Sequence, residues 1–307
     1  MKLLLSTTLI IAELLFMNSA FASVSVTPEV SAGYTDNVYQ DDQNKTSDSF
    51  AGLRLIVQNK NDDSATTGSL GATLYNRESA NNYLTYLLKH KFKWPDRDFS
   101  ATVALGGVSY LKTQSGATDN SYNNTYLTSY LTIDVMKKEN FNLQFEPGFK
   151  ATSYPNLGNR RDLYLFARLN GDITLNEQSY LNPYIEIGLN RSSDSYYNRN
   201  DLNLGVMYMN EIEADLNIFA SLNIAGSTYS NRKVSQILTT TKGNGRVTTT
   251  SIDALETSQY TTISLGVEKM IDQLTLFSDI THSSYTTKSN LEYFNENQIV
   301  VGLRATY

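Results

Sequence analysis

The 307-residue sequence predicts an all-β fold, a single antiparallel transmembrane β-barrel of about 14 strands, with 12 or 16 as the alternatives. Three observations predict it. Apolar and polar residues alternate with period two along most of the chain, as strands with two unlike faces require. The alternating segments run about ten residues or more, longer than the five or six usual in soluble sheets and suited to a tilted bilayer crossing. Past the first 22 residues no apolar run approaches the roughly 20 that a helical span needs, so membrane residence requires a closed sheet.

The elements follow in order. Residues 1–22 read as a secretory signal: Lys2 heads an apolar centre from Leu3 to Met17, interrupted by Thr7, Thr8 and Glu13, and Ala20-Phe21-Ala22 supplies a small-x-small cleavage site. The remainder, 23–307, is expected to be one barrel domain in the bacterial outer membrane. Strands are predicted at 24–34, 48–58, 65–76, 82–94, 99–112, 122–136, 141–154, 162–175, 181–190, 201–209, 215–226, 259–268, 274–285 and 297–307. An even count returns both chain ends to one side of the membrane. The connections alternate between two kinds. Short turns, "NKNDDS" (59–64), "PDRD" (95–98), "KKEN" (137–140) and "NEQSY" (176–180), are assigned to the periplasm. Longer loops rich in Asn, Ser, Asp and Tyr (35–47, 113–121, 191–200, 227–258) are assigned to the cell exterior, with "NRESAN" (76–81) a short exception. Within 227–258, "KGNG" (242–245) between two alternating arms predicts a hairpin that extends two strands above the membrane.

Alternation alone also fits a soluble sandwich whose apolar face is buried. Two features favour the barrel. Aromatic residues on the apolar phase gather at the periplasmic ends, with Phe92, Trp94, Phe99, Phe141, Tyr208 and Tyr307 expected to form a membrane girdle. The polar phase is charged deep inside the strands and is expected to line a lumen. Its cations are Arg54, Lys89, Lys91, Lys93, Lys150, Arg168 and Arg304; its anions are Glu29, Asp134, Glu146, Asp172, Glu186, Glu268 and Asp279. Fourteen strands tilted by about 40° close to a backbone radius of roughly 14 Å, wide enough for water. The ladder Lys89, Lys91, Lys93 fits either a field that draws anions into an open pore or a set of salt bridges that braces the wall. A gapless repeat aligns "YYNRNDLNLGVMY" (196–208) with "YFNENQIVVGLRA" (293–305) and matches Gly205 to Gly302, which predicts either a bend in the strand or close approach of neighbours at those two points.

Other chemistry is largely closed off. With 0 cysteines there are neither disulfides nor thiolate metal sites, and a formal charge of −6 with pI near 5.1 argues against nucleic acid as a partner. His90 and His282 lie far apart in sequence, and "DDQNKTSD" (41–48) lacks the glycine and final glutamate of a calcium loop. No cofactor, metal or catalytic residue is assigned. One arrangement calls for a test: His282 and Ser284 share the outward phase, and Asn295 or Asn297 on the next strand is a candidate third group for activating the hydroxyl.

Both ends of the barrel carry resemblances. "VVGLRATY" (300–307) resembles the C-terminal signal of Gram-negative outer-membrane barrels, with Gly302, Ala305 and Tyr307 in its places, although Ala305 is smaller than usual and Val300 stands where a polar residue is common. "GYTDNVYQ" (33–40) resembles the opening hairpin of β-barrel porins associated with exopolysaccharide export, and the barrel of surface-lipoprotein assembly modifiers is similar more weakly. The His-x-Ser at 282–284 is similar to that of outer-membrane phospholipases, but Tyr285 and Thr286 replace that family's Asn-Gly. These resemblances imply an outer-membrane, porin-like channel for small polar solutes or saccharides, an accessory of polysaccharide export. The alternatives are a closed barrel whose loops, through Tyr39, Tyr122, Tyr196 and Tyr197, bind surface polysaccharide or a partner, and a phospholipase-like hydrolase. Expected partners are the lipid bilayer with its lipopolysaccharide, the barrel assembly machinery through the C-terminal strand, and a saccharide ligand. The oligomeric state is left open.

Overall fold

A computed structural model describes residues 23–40, 45–94, 97–111, 123–241, 247–289 and 293–307, with 236–241 and 247–253 described as backbone only. The expected signal segment, Tyr122 and the "KGNG" turn lie outside the described residues.

Fourteen antiparallel strands close into a barrel in sequence order, each pairing with the next and the first with the last. They are β1 (Ser23–Thr35), β2 (Asp48–Lys60), β3 (Ser64–Tyr75), β4 (Tyr83–Lys93), β5 (Phe99–Tyr110), β6 (Asn124–Lys138) and β7 (Phe141–Tyr154), then β8 (Arg160–Asn176), β9 (Ser179–Ser192), β10 (Arg199–Glu213), β11 (Leu216–Thr241), β12 (Val247–Ile271), β13 (Leu274–Thr287) and β14 (Tyr293–Ala305). Among the described residues no strand or helix crosses the interior.

The polarity of the molecule is inverted relative to a soluble sheet. Leu53, Ile187 and Leu265 are 53%, 60% and 58% exposed on the outer face, whereas Glu146, Glu186, Thr132 and Asp162 are buried. Leaving such side chains in water forfeits about 1.5–3 kcal/mol each, a loss that lipid tails remove. The sandwich alternative, which needs these residues buried against a second sheet, is excluded by their exposure.

One end of the barrel is built from tight turns. Four two-residue connections (139–140, 177–178, 214–215, 272–273) join successive strands there, and Asp215 (φ 71°) and Asp272 (φ 55°) take the left-handed conformation that short polar side chains tolerate. Bulges at Asp134/Met136, Thr174/Asn176 and Glu211/Glu213 sit beside three of these turns and add the twist a closed sheet needs. By the outer-membrane rule this is the periplasmic end. At the other end β11 and β12 run on together. Pairing with β10 stops at Tyr229 and pairing with β13 at Ser258, but the two strands pair with each other as far as Thr241↔Val247, across a register shift between Thr228 and Lys233. The hairpin therefore rises beyond the rim as a two-stranded ribbon.

The closing seam explains the two terminal motifs. Tyr307 and Val26 exchange backbone hydrogen bonds of 3.0 Å each way, and the Thr306 amide donates to the Gln273 carbonyl at 3.1 Å, so the last residues are sewn to both neighbouring strands. At the outer end, Asp36 accepts from the Asn297 amide and side chain at 2.7 Å each, Asn37 donates to the Asn295 carbonyl at 3.0 Å, and Gln40 donates to Glu296 at 3.1 Å. "GYTDNVYQ" and "VVGLRATY" thus fasten opposite ends of one β1–β14 junction.

Candidate functional site

Inward-facing side chains make two unlike walls. On β6–β10 the charges are wired together. Arg168 on β8 donates to Glu186 on β9 through Nη2 and Nε at 2.6 and 2.9 Å, and its Nη1 lies 3.7 Å from Glu146 on β7. Glu186 also accepts from Tyr164 and Asn203 at 2.8 Å each, and Glu146 accepts from Thr132 at 2.9 Å. One guanidinium and two buried carboxylates so tie five strands, with four hydrogen bonds converging on Glu186. Nearer the outer mouth Arg199 meets Asp201 at 3.1 Å and Arg160 meets Asp162 at 3.3 Å. On the seam side Arg304 reaches Glu268 at 2.8 Å.

The remaining sequence-assigned anions are held singly. Asp134 accepts from Gln144 at 2.8 Å, Asp172 from Asn182 at 2.7 Å and Asp279 from Thr281 at 2.7 Å. Lys150 lies 4.4 Å from the Tyr126 ring centre. Glu29 stands opposite Arg54 and Arg304 in register without an ion pair to either. Lys89, Lys91, Lys93 and Arg54 form no ion pair or side-chain hydrogen bond among the described residues. Their cross-strand neighbours show why: Lys89 lies between Thr67 and Ala104, and Lys91 between Ala65 and Thr102, none of which carries charge.

A third feature was glimpsed in the sequence only at Gly205 and Gly302: seven inward glycines serve as seats for aromatic rings from a neighbouring strand. Phe50 covers Gly33, Tyr126 covers Gly106, Phe166 covers Gly148, Tyr164 covers Gly188, Tyr184 covers Gly205, Phe219 covers Gly266 and Phe277 covers Gly302. A Cβ at any of these glycines would fall 2.0–2.6 Å from a ring atom, so only glycine lets the ring lie against the wall. Four of these rings also have a cation over them: Lys150 lies 4.4 Å from the Tyr126 ring centre, Arg168 5.4 and 5.8 Å from those of Tyr184 and Phe166, and Arg304 6.0 Å from that of Phe277. The repeated Gly205 and Gly302 are two such seats, on β10 and β14, which gives the repeat its physical content. The readable signal was an aromatic residue on the polar phase opposite a glycine, but recognising it requires the strand register.

On the outer face, Phe92, Trp94, Phe99 and Tyr307 are exposed, with Trp94 and Phe99 ring centres 4.9 Å apart; Phe141 and Tyr208 share that phase, in register with the outward residues Ile173 and Leu181. His282 points outward and donates through Nδ1 to Asn297 at 2.8 Å, selecting Asn297 over Asn295. Ser284 makes no hydrogen bond with His282, so the hydroxyl is not joined to the His282–Asn297 pair. Asp279 lies on the opposite face of the same strand.

The rim is held by polar chemistry. Asp48 accepts from the amides of Ser49, Arg77 and Glu78 at 2.8, 2.9 and 2.8 Å. Burial works against its charge, yet those donors hold the carboxyl below its ordinary value. Tyr39 donates to Glu78, and this bond, reinforced by burial, pushes the phenol up. Across the mouth, Arg160 lies 4.0 and 3.9 Å from the Tyr154 and Tyr197 ring centres, and Arg232 lies 4.0 Å from those of Tyr196 and Tyr229. These stacks fasten the 3-10 turn Ser195–Tyr197 over the β8–β11 rim.

No protein-family model matches the chain, and no curated protein resembles it in sequence. Solved structures do resemble it. A bacterial polysaccharide outer-membrane secretin superposes with a TM-score of 0.57 at 8% identity, covering 92% of this chain and 98% of its own. The fold is that of an outer-membrane β-barrel. The outer-membrane channel DcaP of Acinetobacter baumannii (TM-score 0.52, 9% identity, 95% and 99% covered) and an anion-selective porin from Comamonas acidovorans (0.51, 9%, 94% and 99%) share it. At these identities the likeness concerns architecture, that of porin-like barrels.

Proposed function

We propose that this chain is a non-enzymatic, passive channel for saccharides, acting as an accessory of polysaccharide export. The observation that carries the reading is the set of ring-on-glycine seats. Flat aromatic faces along a water-filled wall suit the apolar faces of pyranose rings, while the carboxylates and amides between them bond hydroxyls. Laying each ring against the wall keeps the passage wide, which a rotamer pointing to the axis would not. The inward charges then act as lumen-lining groups, the outer aromatics as the membrane girdle beside lipid and lipopolysaccharide, and the β14 strand as the segment offered to the barrel assembly machinery.

Planar-bilayer recording on the purified barrel tests this. Ion conductance that neutral oligosaccharides interrupt in discrete blocks is expected; a folded barrel that passes no ions in either orientation removes the channel. A second reading, a closed barrel whose loops bind surface polysaccharide, draws on the arginine–tyrosine stacks of the rim. Excising residues 230–255 separates the two, because a channel keeps conducting whereas a loop receptor loses its ligand.

A further inference from the structure

We infer that the bare basic wall is a binding track for anionic sugar chains, so that the exported substrate is an acidic polysaccharide bearing carboxylate or ester-linked sulfate or phosphate groups. The inference rests on the channel reading and adds the charge of the cargo.

The argument begins with what surrounds the ladder. The inward positions of β2–β5 carry Arg54, Lys60, Lys89, Lys91 and Lys93, and their one carboxylate is Asp48 at the outer rim, already saturated by three amides. Elsewhere in the lumen the arginines are neutralised, Arg168 at 2.6 Å and Arg304 at 2.8 Å. Together with Arg54 and Lys60 on β2, the three β4 lysines have no carboxylate partner among the described residues. Their flanks are Ala65, Thr67, Ser100, Thr102 and Ala104, small enough that the long side chains can reach into the passage. Successive inward residues on a strand stand about 6.6–6.8 Å apart, so three ammonium groups form a graduated rail rather than a point site. A rail suits a ligand with repeated charges, since each further contact is intramolecular once the first has formed. Lysine, a hydrated point charge on a flexible stem, can pass an anion along more readily than a bidentate guanidinium can.

Position gives the rail a direction. β4 ends at Lys93, beside Trp94 at the short-turn end, and Lys89 lies further into the barrel. A chain arriving from the periplasm meets Lys93 first and is drawn inward past Lys91 and Lys89, with the focused field of a narrow passage assisting capture.

The test compares wild type with the triple variant K89Q/K91Q/K93Q, both checked for folding by the heat-dependent gel shift of barrels. Hexa-galacturonate and maltohexaose, equal in length and unlike in charge, are the probes, read as channel-block lifetimes with each added from the periplasmic side. Fluorescence polarisation of labelled hexa-galacturonate on the detergent-solubilised barrel reads binding without conduction. Wild type is expected to hold hexa-galacturonate at least tenfold more tightly than maltohexaose at low salt. The triple variant is expected to lose that preference and keep its maltohexaose block. The preference should also shrink about tenfold between 0.1 and 1 M salt, as the screening length falls from about 10 to 3 Å. Equal affinity for the two sugars in wild type overturns the inference, as does an unchanged preference in the triple variant. So does a triple variant altered only in chloride selectivity, which makes the ladder a general anion filter. Absence of conductance with hexa-galacturonate binding intact sinks the channel and spares the track.

Discussion

The arginines of β8 and β10 and the lysines of β4 stand on walls of the same barrel, yet they meet opposite fates. Arg160, Arg168 and Arg199 each have a carboxylate within 3.3 Å, whereas Lys89, Lys91 and Lys93 face alanine, serine and threonine. The division follows the neighbours more than the side-chain type, since Arg54 on the bare wall has no ion pair among the described residues either. Arg168 locks β8 to β9 through paired hydrogen bonds on Glu186, Arg160 and Arg199 each hold a carboxylate two residues along their own strand, and an ammonium keeps its water and its mobility. Charge on one wall is used for rigidity, and on the other it remains available to a passenger.

The largest expected effect breaks that contrast at its strong side. Glu186→Ala strips Arg168, Tyr164 and Asn203 of an acceptor at once and should cost about 2–4 kcal/mol in urea unfolding of the barrel from liposomes. Lys91→Ala, which removes a charge that braces nothing, should stay within about 0.5 kcal/mol of wild type. Equal losses at the two sites would show that the walls do not differ in the way described.

A smaller effect sharpens the comparison through the glycine seats, which lie mostly outside the bare wall. Gly205→Ala places a methyl group where the Tyr184 ring lies, 2.1 Å from its nearest atom, and should drive the ring toward the lumen. The expected cost is about 1–3 kcal/mol together with a lower single-channel conductance. Gly68, on the outward face of β3 in register with Val57 and Leu88, has nothing within 4 Å of its would-be Cβ, so Gly68→Ala should leave conductance unchanged and stability equal or slightly higher. A fall in conductance for both would mean that ring seating has no special part in keeping the passage wide.

Strand number, orientation and face were legible because period two is a local signal: Leu53 next to Arg54 announces its face wherever the partner strand lies. The long hairpin was legible too, from the alternation on both sides of 242–245. Cross-strand chemistry was not. Whether a lysine braces or stays bare depends on which residues the register sets beside it, and Lys89 and Arg168 look alike until Ala104 and Glu186 are known to be their neighbours. The same holds for Phe277 over Gly302, two residues 25 positions apart in the chain that one ladder rung joins. The resemblance of the two terminal motifs was readable, but their meeting along one seam was not, since only closure brings Asp36 to Asn297 and Val26 to Tyr307.

The smallest expected effect lies at the rim, where Asp48 joins the bare wall to the β3–β4 connection. With its folded-state pKa held below the ordinary 3.8, the ionised carboxylate contributes its full stabilisation above that value and loses it as pH falls through the depressed one. The protection factors of the Ser49, Arg77 and Glu78 amides, taken relative to intrinsic exchange at each pH, should therefore be high at pH 7 and fall on acidification below about pH 4. Asp48→Asn keeps the shape but loses the charge and one acceptor oxygen, so it should exchange faster at pH 7 by an amount equal to about 1 kcal/mol and approach wild type in acid. Protection that is independent of pH in the wild-type protein would mean that the three amides owe their order to the turn itself. The bare wall would then reach its rim without a charge to anchor it.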